Sequence, residues 1–79
     1  MSDKWFGVIE YTEGDVDTII DFNGDLTRVD LYHDGMGLRA TAYSKLNPVD
    51  QYDGAFGMEL ALARAKARLF AKIDRKLSK

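Results

Sequence analysis

The first half of the chain alternates apolar and polar side chains with a period of two, which is the pattern of half-buried β-strands. In the clearest case, Val16, Ile20 and Phe22 share one face of a strand, while Asp17 and Asp21 share the other. Runs of this kind, or short runs rich in aromatic and β-branched residues, predict strands at residues 4–11, 16–22, 26–33 and 38–44.

The segments between these strands have the composition of tight turns. Asn23-Gly24 predicts a type I′ hairpin turn centred on these two residues, because both central positions of that turn need positive φ. No helical segment separates the strands, so we expect an antiparallel meander rather than parallel strands joined by crossover helices. In the last strand, Ala40 and Ala42 lie on the inward face, where small side chains let a helix approach closely.

The second half of the chain changes to a helical period and predicts one helix over about residues 54–77, with Asp53 as its N-cap. One half of its helical wheel is apolar, with Ala61 and Ala65 at the boundary, and contains Leu60, Leu62, Ala63, Ala67, Leu69, Phe70, Ala71, Ile73 and Leu77. The opposite half is basic and contains Arg64, Arg68, Lys72, Arg75 and Lys76.

Such a helix is about 36 Å long, whereas a strand of seven residues spans only about 23 Å. The last two helical turns, with Phe70, Ile73 and Leu77, are therefore expected to extend past the sheet. An apolar stripe in that position is either frayed or covered by a partner, and a homodimer through the helix end is one hypothesis.

These elements predict an α+β fold, in which an antiparallel β-meander of three or four strands packs one long C-terminal helix on one face. The length of 79 residues is enough for one domain with one core, over residues 1–79.

The net charge of −2 hides a strong asymmetry along the chain. Residues 1–53 carry eleven acidic and four basic side chains, a net charge of −7, and residues 54–79 carry seven basic and two acidic side chains, a net charge of +5. An acidic sheet side and a basic helix side can steer a charged partner to one face. The alternative is that the two halves neutralise each other within the fold.

The composition argues against an enzyme, a metal site or a cofactor site. There is no cysteine, the only histidine is His33, and no serine lies in a nucleophile motif. The acidic residues around the second strand are better explained as a solvated face than as a calcium loop that begins at Asp21, because Gly24 comes two positions too early and Tyr32 stands where such a loop needs a glutamate. No apolar run is long enough for a membrane span and no signal peptide is evident, so we expect a cytoplasmic protein.

Two sets of residues are candidates for binding a partner. The first is the basic half of the helix, whose side chains would track phosphates or an acidic protein surface; an ordinary solvated helix face is the alternative. The second set lies on the sheet face away from the helix and combines residue types that are enriched in binding hot spots. It consists of Arg28, Tyr32, Arg39 and Tyr43.

Three motifs carry a resemblance: Gly-x-Gly-x-x-Ala-x-Ala at residues 35–42, Asn-Pro-x-Asp at residues 47–50, and Gly-x-Glu-Leu-Ala-x-Ala-Arg-Ala at residues 57–65. Residues 35–67 thereby resemble a family of small actinobacterial and phage proteins of unknown function with a double-stranded-RNA-binding-domain-like fold. The resemblance implies a meander sheet packed by a C-terminal helix, and a phage or bacterial origin. RNA binding does not carry over, because the helix has no basic residue before Arg64 and the strands are acidic.

The sequence therefore favours a small non-enzymatic binding domain, an accessory protein of phage or bacterial origin that acts through protein–protein interaction. The alternative is nucleic-acid binding through the basic face of the C-terminal helix. A third class, an acidic mimic of nucleic acid, is less favoured because the chain as a whole is only slightly acidic.

Overall fold

A computed structural model of the protein describes residues 5–24, 26–45 and 54–78. It contains, in chain order, the strands β1 (Trp5–Glu13), β2 (Val16–Gly24), β3 (Leu26–His33) and β4 (Leu38–Lys45) and the helix α1 (Gly54–Leu77). The strands form one antiparallel sheet in the order β1-β2-β3-β4, and α1 packs against one face of it. The predicted α+β meander is confirmed, with four strands. Lys4, the predicted first residue of β1, and Asp53, the predicted N-cap, lie outside the described residues.

Burial follows the predicted alternation along β2, β3 and β4. The helix-side face contributes Thr18, Ile20, Phe22, Thr27, Val29, Leu31, Ala40, Ala42 and Ser44, and all of them are buried. The residues between them point to the opposite face, which we call the outer face of the sheet. The apolar members of the buried set form one cluster with three residues of α1, so the core lies between α1 and the sheet.

The β2–β3 hairpin differs from the predicted turn by one residue. Asn23 pairs with Leu26, so the turn lies one residue further along the chain than predicted, and Asn23 does not have positive φ. Gly24 does, with φ of 72°. The observed register places Arg28 opposite Asp21. A turn centred on Asn23-Gly24 would instead place two aspartates, Asp30 and Asp17, opposite each other, and like charges directly opposite are unfavourable.

The buried stripe of α1 is rotated from the centre of the predicted apolar half. Ala61, Ala65 and Leu69 are almost completely buried, whereas Phe70 and Leu77 are 58% and 70% exposed. Ala61 and Ala65 therefore belong to the middle of the contact rather than to its boundary. The small side chains on α1 and β4 explain the shift, since two surfaces of alanine let the helix backbone lie close to the strand.

One helix cannot cover this sheet. An α-helix with its side chains is about 10–12 Å across, and neighbouring strands are about 4.8 Å apart, so one helix covers about two strands. Here α1 packs chiefly on β4 and β3. Every described side chain of β1 is exposed, including four large apolar ones: Phe6, Val8, Ile9 and Tyr11.

Candidate functional site

Four of the five cations predicted to face a partner contact the backbone of β4 or of the turn that precedes it instead. The guanidinium groups of Arg64 and Arg68 donate to the carbonyl oxygens of Tyr43 (3.0 Å) and Thr41 (2.6 Å). Further along α1, the ammonium group of Lys72 donates to the carbonyl oxygen of Arg39, and that of Lys76 donates to the carbonyl oxygen of Met36 at 2.7 Å. We call these four side chains, Arg64, Arg68, Lys72 and Lys76, the basic row.

The row fits the strand because the two repeats match in length. Four residues of helix advance about 6 Å, and two residues of strand advance about 6.6 Å. Successive cations at a spacing of four therefore meet successive carbonyl groups at a spacing of two, at Tyr43, Thr41 and Arg39. These carbonyl groups lie at the outer edge of β4, where no further strand pairs with them in the described sheet. The basic row thus covers this edge.

Arg75, the fifth predicted cation, behaves differently. It is exposed and makes no hydrogen bond or ion pair within the part of the chain that the structure describes. Arg75 is therefore an ordinary solvated side chain on the same helix and provides an internal reference for the four others.

The second predicted set, on the sheet, is brought together by the register of β3 and β4. Arg28 lies directly opposite Tyr43, and Tyr32 lies directly opposite Arg39. The guanidinium carbon of Arg39 is 5.5 Å from the centre of the Tyr32 ring, within the range of a cation–π interaction. All four side chains project from the outer face, as the alternation predicted, and Tyr43 is half exposed.

Sequence reasoning missed the residue that organises this patch, Asp30. Its carboxylate accepts from the Arg28 guanidinium at 3.0 Å and from the Thr41 hydroxyl at 2.5 Å. An exposed ion pair of this kind contributes little to stability, so its main effect is to hold Arg28 in one place. The alternation along β3 already indicated this position, since Asp30 lies on the same face of the strand as Arg28 and Tyr32.

An open concavity of about 350 Å³ lies on this face. Its lining includes Asp17, Ile19, Arg28, Asp30, Tyr32 and Arg39. The wall from β3 and β4 carries the arginines and the wall from β2 carries Asp17, so the concavity has charges of both signs. Such a surface suits a partner with polar and charged groups rather than an apolar small molecule.

Other kinds of site have no support in the described ranges. Within residues 5–24, 26–45 and 54–78, no three histidine, cysteine, aspartate or glutamate side chains converge as metal ligands would. Asp25, one of the acidic residues around β2, lies outside those ranges. None of the helical residues that the structure describes forms a span long and apolar enough to cross a bilayer.

No family model, curated protein or solved structure matched this chain when it was compared with each of these three sets. The resemblance to double-stranded-RNA-binding-domain-like proteins therefore stays a prediction, as does the phage or bacterial origin.

Proposed function

We propose that this protein is a small non-enzymatic binding domain that recognises another protein through the outer face of β3 and β4. The observation that carries the proposal is the cross-strand arrangement of two arginines and two tyrosines: Arg28 beside Tyr43, and Arg39 over Tyr32. Arginine and tyrosine supply much of the binding energy in protein interfaces. No described element packs on this face, so the four side chains are accessible to a partner.

The position of Arg28 supports the same proposal. A long flexible side chain loses conformational entropy when a partner immobilises it. Asp30 already restricts Arg28, and the Thr41 hydroxyl in turn restricts Asp30. Part of the entropic cost of binding is therefore met before the partner arrives.

Nucleic-acid binding through α1 is the alternative, and the contacts of the basic row weigh against it. A phosphate group that took Arg68 as its ligand would compete with the Thr41 carbonyl oxygen, which the guanidinium contacts at 2.6 Å. The row also begins only at Arg64, well inside the helix. We therefore favour the outer face of β3 and β4, rather than the basic face of α1, as the binding surface. As an accessory protein of phage or bacterial origin, the chain would find its partner among host or phage proteins.

The experiment is affinity capture with identification of the partner, followed by titration of that purified partner with variants. We expect the double variant Arg28→Glu/Arg39→Glu to bind at least about tenfold more weakly. Arg75→Glu makes the same arginine-to-glutamate replacement once, at an exposed position on α1, and should bind like the wild type. Circular dichroism checks that each variant is folded.

Two outcomes would contradict the proposal. The first is unchanged affinity of the folded Arg28→Glu/Arg39→Glu variant for the partner. The second is a mobility shift of duplex DNA or RNA at about 50 mM salt that Arg68→Glu abolishes, since nucleic-acid affinity is greatest at low salt. The second result would establish the alternative function through the basic row.

A further inference from the structure

Strand β1 is exposed on both of its faces and along its unpaired edge. Its side chains Phe6 and Val8 project from the outer face and are 74% and 58% exposed. Ile9 and Tyr11 project from the helix side and are 44% and 39% exposed, because α1 lies over β3 and β4. The edge itself is unpaired, since no described strand pairs with β1 there.

The register shows which backbone groups point out from this edge. The hydrogen bonds from the basic row show that the carbonyl groups of Thr41 and Tyr43 point away from β3. Backbone N–H and C=O groups alternate sides along each strand, so the alternation can be followed through the paired residues to β1. It directs outward the backbone groups of Phe6, Val8, Glu10 and Thr12.

We propose that β1 pairs with β1 of a second copy of this chain, antiparallel about a two-fold axis at Ile9. The two sheets then form one continuous eight-stranded sheet with both helices on the same face. In this register Ile9 faces Ile9 of the second copy, Val8 faces Glu10, and Phe6 faces Thr12. All nine residues of Trp5–Glu13 find a partner.

Charge and length select this register over its neighbours. A shift of two residues in one direction places Glu10 directly opposite Glu10 of the second copy, and like charges in that position are unfavourable. A shift in the other direction centres the pair on Val8 and leaves Thr12 and Glu13 beyond the paired strand. The Ile9-centred register avoids both losses, and this self-complementarity is the argument for a second copy rather than an unrelated strand.

Gly7 supports the same arrangement. A Cβ atom built at Gly7 would have no heavy atom within 4 Å, so the helix side of β1 is open there. The Ile9-centred register places Tyr11 of the second copy opposite Gly7. Aromatic side chains pack over glycine in neighbouring strands, and such pairing stabilises an edge that contains glycine.

The size of the contact predicts a reversible dimer. A nine-residue edge is about 30 Å long, and its exposed apolar side chains add to the buried area. Stable dimers usually bury about 800 Å² on each partner. The area buried by a single strand edge is expected to be no larger than that. Dimerisation is therefore expected to depend on protein concentration.

The test is sedimentation equilibrium of the full chain from about 1 μM to about 1 mM, because association by mass action appears over such a range. We expect the mass to rise from 8.9 kDa towards twice that value. Phe6→Lys replaces the most exposed apolar side chain of the edge by a charge, opposite Thr12 of the second copy, and Val8→Pro removes an N–H that is outside the β1–β2 ladder. Each should weaken association at least about tenfold.

Ile19→Lys is the matched control, since Ile19 is an exposed apolar residue of the same outer face but lies on β2. It should dimerise like the wild type. Hydrogen exchange of the wild type gives a second readout without mutation: protection of the Val8 and Glu10 amides should increase with concentration. Val8 and Glu10 lie on β1, two strands from Arg28 and three from Arg39, and their amides point away from the sheet, so this readout does not require the proposed protein-binding face to be occupied.

Three results would overturn the proposal. One is a mass of 8.9 kDa at the highest concentration, with fast exchange at Val8 and Glu10. Another is a dimer that persists in folded Val8→Pro. The third is a dimer lost in Leu77→Lys but not in Phe6→Lys, which would place the contact at the helix end.

Discussion

The two edges of the sheet differ in how far the described residues cover them. At β4, the basic row of α1 covers the outward carbonyl groups from Tyr43 to Arg39. At β1, no described residue covers the edge, and the strand exposes apolar side chains on both faces. Natural proteins usually protect an edge strand with lysine, proline, a bulge or a covering element. Residues 5–13 contain no lysine, arginine or proline.

The difference follows from the width of one helix. Because α1 covers about two strands, it can lie over one edge of a four-stranded sheet but not both. The alanines of β4 and α1 decide which edge, since they allow the closest approach there. The cations at a spacing of four then reach the β4 edge. The opposite edge, at β1, is not covered by any element that the structure describes.

The largest effect is expected where α1 is anchored over β4. Leu69 is 1% exposed in the core, and Leu69→Ala should lower the free energy of unfolding by about 2–5 kcal/mol through lost burial and a cavity. Its neighbour Phe70 is 58% exposed, and Phe70→Ala should cost less than about 1 kcal/mol. Urea unfolding measures both. Equal losses would mean that the helix is not seated as described.

A smaller effect is expected at the open edge. Gly7 has φ of 148°, a conformation that L-residues rarely adopt. Gly7→Ala should therefore destabilise the protein by about 1–2 kcal/mol through backbone strain, even though there is space for the methyl group.

Gly35→Ala is the control for that substitution. A Cβ atom at Gly35 would meet His33 at an ordinary distance of 3.5 Å, and φ there is not in the left-handed region. The variant should be neutral or slightly stabilised, because alanine reduces the entropy of the unfolded chain. Thermal unfolding of the two variants gives the comparison. Destabilisation by Gly35→Ala as large as that by Gly7→Ala would argue against a special conformation at Gly7.

The smallest effect is expected at the covered edge. Arg68→Met keeps most of the apolar stem but removes the donor to the Thr41 carbonyl oxygen, and should cost about 1 kcal/mol. Arg75→Met removes a charge that has no such contact and should stay within about 0.5 kcal/mol of the wild type. Urea unfolding of the two variants at one salt concentration checks the difference. Equal stability would show that the row contributes nothing at the edge.

Most of the fold could be predicted because strands and helix have distinct periods. The observed bounds of β3 and α1 coincide with the predicted ones, and the faces of β2, β3 and β4 follow the alternation. The hairpin at Gly24 was displaced by one residue, because the turn signal is local whereas register depends on pairs such as Arg28 and Asp21 along the whole strand.

The candidate sites were only partly predictable. The alternation of side chains along β3 and β4 was enough to place four residues on one face: Arg28, Tyr32, Arg39 and Tyr43. The register of the two strands then sets each arginine opposite a tyrosine. The contacts of the basic row depend on how close α1 lies to β4, and a helical wheel contains no information about that distance. The exposure of β1 follows from comparing the width of a helix with that of a sheet. Comparing the length of the helix with the length of a strand does not reveal that β1 is exposed.

The most direct test of the asymmetry between the edges is ¹⁵N relaxation of the arginine Nε–H groups in the wild-type protein. Arg64, Arg68 and Arg75 lie on one helix, and all three are exposed. If the basic row covers β4, Arg64 and Arg68 will show restricted motion on the picosecond-to-nanosecond timescale, whereas Arg75 will move freely. Equal, high mobility of all three would contradict the account, because the β4 edge would then be as open as the β1 edge.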